Sequence, residues 1–129
     1  MRNDKENLIV NLTFDFAVKI VAFSEEIRSL NRFEMASQIF KSGTSIGANI
    51  REAQNAESKA DFIHKFKIAA KEVDELIFWL QLCEKSAPYP SPKKELIKDL
   101  NTIQLIISKI ISSSKKSTFS NHQIDKFSN

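Results

Sequence analysis

The sequence predicts an all-α protein, folded as one antiparallel, up-and-down four-helix bundle. Its 129 residues include only two glycines and three prolines, too few turn-forming residues for a sheet-rich chain. Apolar residues recur at steps of three and four along four long segments, which is typical of amphipathic helices. The prolines are confined to "PYPSP" at 88–92, so we expect long helices with few connections.

The first predicted helix begins between Asp4 and Thr13 and ends near Asn31. Asn31 is expected to cap the second helix, with Glu34 three residues later as its reciprocal partner. The second helix is expected to run from Arg32 to about residue 56. The apolar stripe of the first helix is Ile9, Leu12, Phe16, Ile20, Phe23, Ile27 and Leu30. The buried side of the second is expected to be Met35, Ala36, Ile39, Phe40, Gly43, Ile46, Gly47, Ile50 and Ala53.

Serine residues are expected to open the last two helices. Ser58 is predicted to cap the third helix, with Asp61 at the reciprocal position and an end near Lys85. Ser91 is predicted to cap the fourth, with Pro92 at the favoured first position. The stripe of the third helix is Phe62, Phe66, Ala69, Val73, Leu76, Ile77, Leu80 and Cys83. That of the fourth is Leu96, Leu100, Ile103, Ile107, Ile110 and Ile111.

The division of the chain follows from these segments and from composition. Residues 1–113 are expected to form the bundle domain, and residues 114–129 a polar, disordered tail. The chain is 42% hydrophobic and 27% charged, as in ordinary globular proteins. Cys83 is the only cysteine, so no internal disulfide can form. No apolar run approaches the roughly 18 residues of a membrane span, and we expect a cytoplasmic protein without a cofactor.

The two glycines, Gly43 and Gly47, lie four residues apart in "SGTSIG" on the apolar face of the second helix. A phosphate-binding loop would need a preceding strand and a terminal Lys-Ser/Thr, and both are absent here. A helix break recapped by Thr44 or Ser45 stays open as an alternative. The favoured interpretation is close helix packing, in which the glycines form a notch for a bulky aromatic side chain of a facing helix.

The third helix carries apolar residues on more than one side. Phe78, Trp79 and Leu82 point away from its bundle stripe, and Ile68 shares a face with Trp79. An exposed patch of this kind usually marks an interface. These four residues are therefore predicted to form an oligomer interface, although the N-terminal residues or the tail could instead fold over them.

Acidic residues lie beside this patch, at Glu72, Asp74 and Glu75, and His64 is on the same helix. A di-iron bundle needs Glu-x-x-His motifs on two helices, and no such motif occurs in the sequence. We therefore expect no metal site, and we assign the acidic residues to ion pairs across a subunit boundary.

Basic residues indicate a possible nucleic-acid surface. The net charge is +3, the isoelectric point is about 9.0, and residues 86–129 hold seven lysines against three acidic residues. Four lysines of the fourth helix are also candidates for phosphate contact: Lys93, Lys94, Lys98 and Lys109. The residues favoured for this role are Lys41, Arg51, Lys67 and Lys71. A solvated helix face is the alternative for each cluster.

A polar group on the second helix has no assigned purpose. Ser45, Asn49 and Glu52 lie at steps of four and three on its polar side. They are predicted to form a polar network between helices or subunits. A catalytic site built from the same three residues is the alternative.

Three segments carry a family resemblance: "SGTSIGANIREA" at 42–53, "SKADFIHKFKIAAKE" at 58–72 and "DELIFWL" at 74–80. Here the sequence resembles the small four-helix bundle proteins encoded in intervening sequences of bacterial 23S rRNA, over roughly residues 8–112. The resemblance implies a bundle whose relatives form homopentameric rings. The accessory protein of diversity-generating retroelements is similar, and is a basic pentamer that binds nucleic acid and a reverse transcriptase.

The resemblance and the residues together predict a non-enzymatic homo-oligomer, with the pentamer as the implied assembly. Its expected partners are RNA or DNA, or a nucleoprotein, and no membrane. The alternative is a scaffold or regulatory module that binds only other proteins.

Overall fold

The structure, a computed structural model, describes the backbone of residues 4–128 and the side chains of residues 8–116. Its four α-helices are α1 (Asp4–Arg28), α2 (Phe33–Ala53), α3 (Lys59–Lys85) and α4 (Lys94–Ser128). α1 packs against α2 and α4, and α3 packs against the same two helices. Short connections join neighbours in this square, so the predicted up-and-down four-helix bundle is confirmed.

The core lies along the bundle axis, where each helix contributes one apolar stripe. Burying one Ile, Leu or Phe side chain stabilises the fold by about 1.5–3 kcal/mol, so the stripes account for the helix arrangement. Two predicted members are instead exposed: Leu30 lies beyond the end of α1, and Phe40 lies on the outer edge of α2. The largest fully buried side chains are Phe16, Phe66, Ile9, Ile20, Ile27, Ile39, Ile46, Ile50, Leu76, Leu80, Leu100 and Ile103.

The turn between α1 and α2 corrects the predicted role of Asn31. Its φ of 61° is the left-handed conformation, which asparagine tolerates better than most residues. The Asn31 N–H donates to the Arg28 carbonyl at 2.8 Å, and the Arg32 N–H donates to the Ile27 carbonyl at 3.4 Å. This pair of bonds is a Schellman motif, so Asn31 ends α1. Arg32 occupies the cap of α2, without a side-chain hydrogen bond.

The starts of α3 and α4 differ in their agreement with the prediction. Ser58 caps α3 as expected, since its hydroxyl accepts from the Asp61 N–H at 3.0 Å. α4 begins at Lys94, two residues after the predicted first position. Pro92 is buried, and the Lys93 carbonyl accepts from the Ile97 N–H at 3.3 Å. The proline therefore packs into the end of the bundle instead of starting the helix.

α2 is continuous through both glycines, so the helix is not broken there. A Cβ atom on Gly43 would overlap the side chain of Ile20, with Cγ1 at 2.8 Å. A Cβ on Gly47 would lie 3.2 Å from the Thr13 carbonyl oxygen. Bare backbone thus lets α1 and α2 approach closely. The expected aromatic neighbour is wrong at Gly43, because the side chain that fills the space is the aliphatic Ile20.

The helical backbone of α4 extends to Ser128, past the predicted end of the bundle domain at residue 113. Side chains are described as far as Lys116. The division into a domain at 1–113 and a tail at 114–129 stays a prediction.

Candidate functional site

An exposed apolar surface lies on the outer side of α1 and α2. Phe14 and Val18 are 55% and 56% exposed, and Val21 and Phe40 are also exposed. Phe14, Val18 and Val21 follow one another at steps of four and three, so they share one side of α1. The contacts of Gly43 with Ile20 and of Gly47 with Thr13 set an antiparallel register that places Val21 opposite Phe40. We call the surface formed by Phe14, Val18, Val21 and Phe40 the α1–α2 face.

Arg51 lies at one end of the α1–α2 face. Its Cζ is 5.7 Å from the centroid of the Phe14 ring, within the range of a cation–π interaction. Ala17, Thr44 and Gly47 line the shallow groove beside this pair. Arg51 was predicted to contact phosphate, but the structure directs it toward α1 and an aromatic ring.

The predicted interface on α3 is only partly open. Phe78 is 54% exposed, whereas Ile68, Trp79 and Leu82 are half-buried. The rings of Phe78 and Trp79 meet nearly edge to face, with centroids 5.1 Å apart. The Trp79 Nε1 donates to Glu75 Oε2 at 3.2 Å. We call Ile68, Phe78, Trp79 and Leu82 the α3 patch.

The residues of the α3 patch were predicted from the sequence, and those of the α1–α2 face were not. The missed signal was a second apolar stripe on α1, at Phe14, Val18 and Val21, outside the stripe that enters the core. Apolar residues on a side of the helix that does not face the core predict a contact with another surface, as for Phe78 on α3.

The acidic residues of α3 face different neighbours. Burial, and then the nearby Glu75 carboxylate, raise the pKa of Glu72, while Lys41 opposes this shift. Lys41 therefore lies near Glu72, across the contact between α2 and α3. Asp74 accepts from the Gln104 side chain of α4 at 3.2 Å. Among the described residues, no three His, Cys, Asp or Glu side chains are placed to bind a metal ion.

The four residues predicted to contact phosphate do not converge. Arg51 is turned toward α1, whereas Lys41 is near enough to α3 to influence the pKa of Glu72. Lys67 and Lys71 are exposed on α3, four residues apart on its outer side. Arg51 and Lys41 lie on opposite sides of the exposed surface of α2, so they do not meet.

Ser45, Asn49 and Glu52 make their hydrogen bonds within α2 and to the start of α3. The Asn49 amide donates to the Ser45 carbonyl at 2.8 Å. Glu52 is paired with Lys65 at 2.8 Å and is largely exposed, and this pairing raises the pKa of Lys65. The Glu52–Lys65 pair thus joins α2 to α3.

A second ion-pair cluster joins α1 to α4. Lys19 Nζ lies 2.7 Å from Glu95 Oε1 and 2.7 Å from Asp99 Oδ2. Hydrogen bonds to Asp99 and then Glu95 raise the pKa of Lys19. Both carboxylates of this part of α4 are therefore directed at α1.

An open groove runs along the outer side of α4, beside the end of α3. Its lining includes Lys94, Lys98, Asn101 and Leu105 from α4, and Glu84 from α3. Lys94 and Lys98 are two of the fourth-helix candidates for phosphate contact, and the structure places both in this groove. In the described part of the chain, no helix has the length and apolar composition that crossing a bilayer requires.

Comparison with known proteins agrees with this fold. Residues 5–109 match the family model described as 23S rRNA-intervening sequence protein. A crystal structure from Bacteroides thetaiotaomicron, described as a protein with unknown function from the S23 ribosomal protein family, is similar to this chain at 38% identity. The similarity covers 84% of this chain and 98% of the other, with a TM-score of 0.75. The comparison with curated proteins gives no match. The chain belongs to the 23S rRNA-intervening sequence protein family.

Proposed function

We propose that this protein is a cytoplasmic, non-enzymatic module that self-associates through its helical faces and binds nucleic acid or a nucleoprotein. The observation that carries the proposal is the α1–α2 face. Its phenylalanine and valine side chains form one exposed apolar surface, and contiguous surfaces of this kind mark interaction sites.

A second copy of the chain covers the α1–α2 face, and it does so with its α3 patch. The two surfaces are different, and each includes a group that can pair with the other: Arg51 lies at the first, and Glu75 lies at the second. Such a head-to-tail contact leaves one free surface of each kind on a pair of subunits. Repetition can close it into a ring, and five subunits is the ring size that the family resemblance implies.

Light scattering at micromolar concentration tests self-association, and a monomeric wild-type protein would contradict it.

Two variants test the head-to-tail arrangement: Val18→Glu on the α1–α2 face and Phe78→Glu on the α3 patch. Both positions are exposed, so neither change removes a core contact. Each variant alone should be monomeric, because one of its two surfaces is blocked.

A mixture of the two variants should form pairs and no larger assembly. The Val18→Glu protein keeps an α3 patch, and the Phe78→Glu protein keeps an α1–α2 face. If Phe78→Glu assembles normally while Val18→Glu does not, the contact joins two α1–α2 faces instead.

Nucleic-acid binding is supported by the net charge of +3 and by the rRNA context in the description of the family. A ring repeats each basic surface, which strengthens binding to a polyanion. Binding to structured RNA and to duplex DNA should weaken steeply as salt rises, because phosphate contacts release counterions. Absence of binding at low ionic strength would contradict this part of the proposal.

The α1–α2 face equally favours a module that binds only proteins. A partner captured by the wild-type chain should survive nuclease treatment in that case and be lost from the Val18→Glu variant. Loss of the partner on nuclease treatment would instead favour the nucleoprotein.

A further inference from the structure

We propose that the outer side of α4 is the surface that binds the phosphates of the nucleic-acid backbone, and that Lys19 holds the two carboxylates of this part of α4 toward α1. The inference rests on the nucleic-acid binding proposed above and places it on the α4 lysines instead of the four residues favoured from the sequence.

Lysines dominate the exposed part of α4 and the residue before it. Between residues 93 and 116 the only acidic residues are Glu95 and Asp99. Among the described residues, no ion pair engages the lysines of this segment. All of them are exposed: Lys93, Lys94, Lys98, Lys109, Lys115 and Lys116. We call Lys94, Lys98 and Lys109 the α4 lysine face.

Lys19 holds both acidic residues of this segment. Its Nζ is 2.7 Å from a carboxylate oxygen of each, on the side of α4 that packs against α1. One lysine thus directs two carboxylates away from the outer side of α4. Without it, both carboxylates would be free to repel a phosphate at the neighbouring lysines.

The dimensions of the α4 lysine face suit a nucleic-acid strand. At a rise of 1.5 Å per residue, Lys94 and Lys109 are about 22 Å apart along the axis. This equals the axial length of about six phosphates on one strand of B-DNA. Asn101, in the groove between them, supplies a neutral hydrogen-bond donor of the kind that also contacts phosphate oxygens.

The nearest acidic groups of α3 leave most of this surface basic. Glu84 lines one side of the groove, and the carboxylate of Asp74 is bonded to Gln104. Lys41, from the set favoured from the sequence, is near enough to Glu72 to oppose the rise in the pKa of that carboxyl. The exposed lysines of α4 therefore share one side of the helix, with Leu105 between Lys98 and Lys109.

Two variants with equal loss of charge test the location. One replaces Lys94, Lys98 and Lys109 with Gln; the other replaces Lys41, Lys67 and Lys71 with Gln. The apparent association constant for structured RNA and for duplex DNA is measured against salt concentration. In a plot of the logarithm of the association constant against the logarithm of the salt concentration, the slope is negative. The α4 variant should reduce its magnitude by roughly two to three, as expected for three lost phosphate contacts. The control should lower it by less than half that amount.

An equal or larger loss in the control variant would overturn the assignment to α4 and leave nucleic-acid binding intact. Failure of the wild-type protein to bind RNA or DNA would overturn the proposed function itself. Binding to phosphatidylglycerol vesicles but to neither nucleic acid would show that the surface serves a membrane, and would also overturn the inference.

A second comparison isolates Lys19. Lys19→Gln and Lys67→Gln remove the same charge from a helix, but only the first releases Glu95 and Asp99. Lys19→Gln should therefore weaken binding several-fold more than Lys67→Gln. The triple variant Lys19→Gln, Glu95→Gln, Asp99→Asn should restore the wild-type affinity. Equal effects of the two single variants, or no rescue by the triple variant, would overturn the role of Lys19. Circular dichroism on each variant confirms that the bundle is retained.

Discussion

The two glycines of α2 are in close contact with α1 in physically different ways. At Gly43 the neighbour is the side chain of Ile20, which is completely buried and has no space to rotate away. At Gly47 the neighbour is the Thr13 carbonyl at 3.2 Å, which a backbone shift of a few tenths of an ångström would accommodate. The first site should therefore tolerate a side chain less well than the second.

Alanine substitutions measure this difference. Alanine gains about 1 kcal/mol of helix propensity over glycine, while overpacking a core costs about 1–3 kcal/mol. Gly43→Ala should therefore lower the free energy of unfolding by up to about 2 kcal/mol, and Gly47→Ala should change it by less than about 1 kcal/mol. Urea denaturation provides the measurement. Adding Ile20→Ala to Gly43→Ala should cost less than the sum of the single changes, and strict additivity would contradict the Ile20 contact.

Cys83 provides a pH-dependent contribution to stability. Burial, and then the nearby Glu84 carboxylate, raise the pKa of its thiol from 9.0 to about 11. Because the folded pKa exceeds the unfolded value, the thiol contributes its full stabilisation below about pH 9 and loses it as the pH rises toward 11. The wild-type protein should therefore lose more unfolding free energy than Cys83→Ala between about pH 8 and pH 10. Identical losses in the two proteins would contradict the shift.

At the scale of the helices, similar sequence patterns end in different structures. In two places a residue that can cap a helix is followed three residues later by an acidic residue: Asn31 with Glu34, and Ser58 with Asp61. Only Ser58 accepts the expected bond, because the short turn after α1 needs a residue with positive φ and Asn31 supplies it. The apolar stripes were predictable because their spacing is local. The role of a cap depends on the direction that the chain must take next, and local spacing does not contain it.

Two serines allow a matched test of capping. Ser58→Ala should lower the free energy of unfolding by roughly 1 kcal/mol, since it leaves the Asp61 N–H without its acceptor. Ser91→Ala should stay within about 0.5 kcal/mol of the wild-type value, because α4 begins three residues later, at Lys94. Chemical denaturation of both variants decides the matter. A larger loss at Ser91 would place the start of α4 where the sequence predicted it.

At the scale of the whole molecule, the contacts that define surfaces join distant parts of the chain. Lys19 meets Glu95 and Asp99 across 76 and 80 residues, and no local pattern announces this pairing. The same holds for the α1–α2 face, which exists because the glycines bring α1 and α2 together and align Val21 with Phe40. The sequence therefore predicts which residues form the core, while the outer surfaces follow from the packing of whole helices.

The stability of the protein should depend on its concentration if a second copy covers the α1–α2 face. Association with the folded chain alone stabilises it by mass action, so the midpoint of thermal unfolding should rise as the wild-type concentration increases. Val18→Glu should remove this dependence. Ser108→Glu adds the same charge at an exposed position of α4 and should leave the dependence unchanged. A midpoint independent of concentration for the wild-type protein, or an equal loss of dependence in both variants, would show that the α1–α2 face does not join subunits.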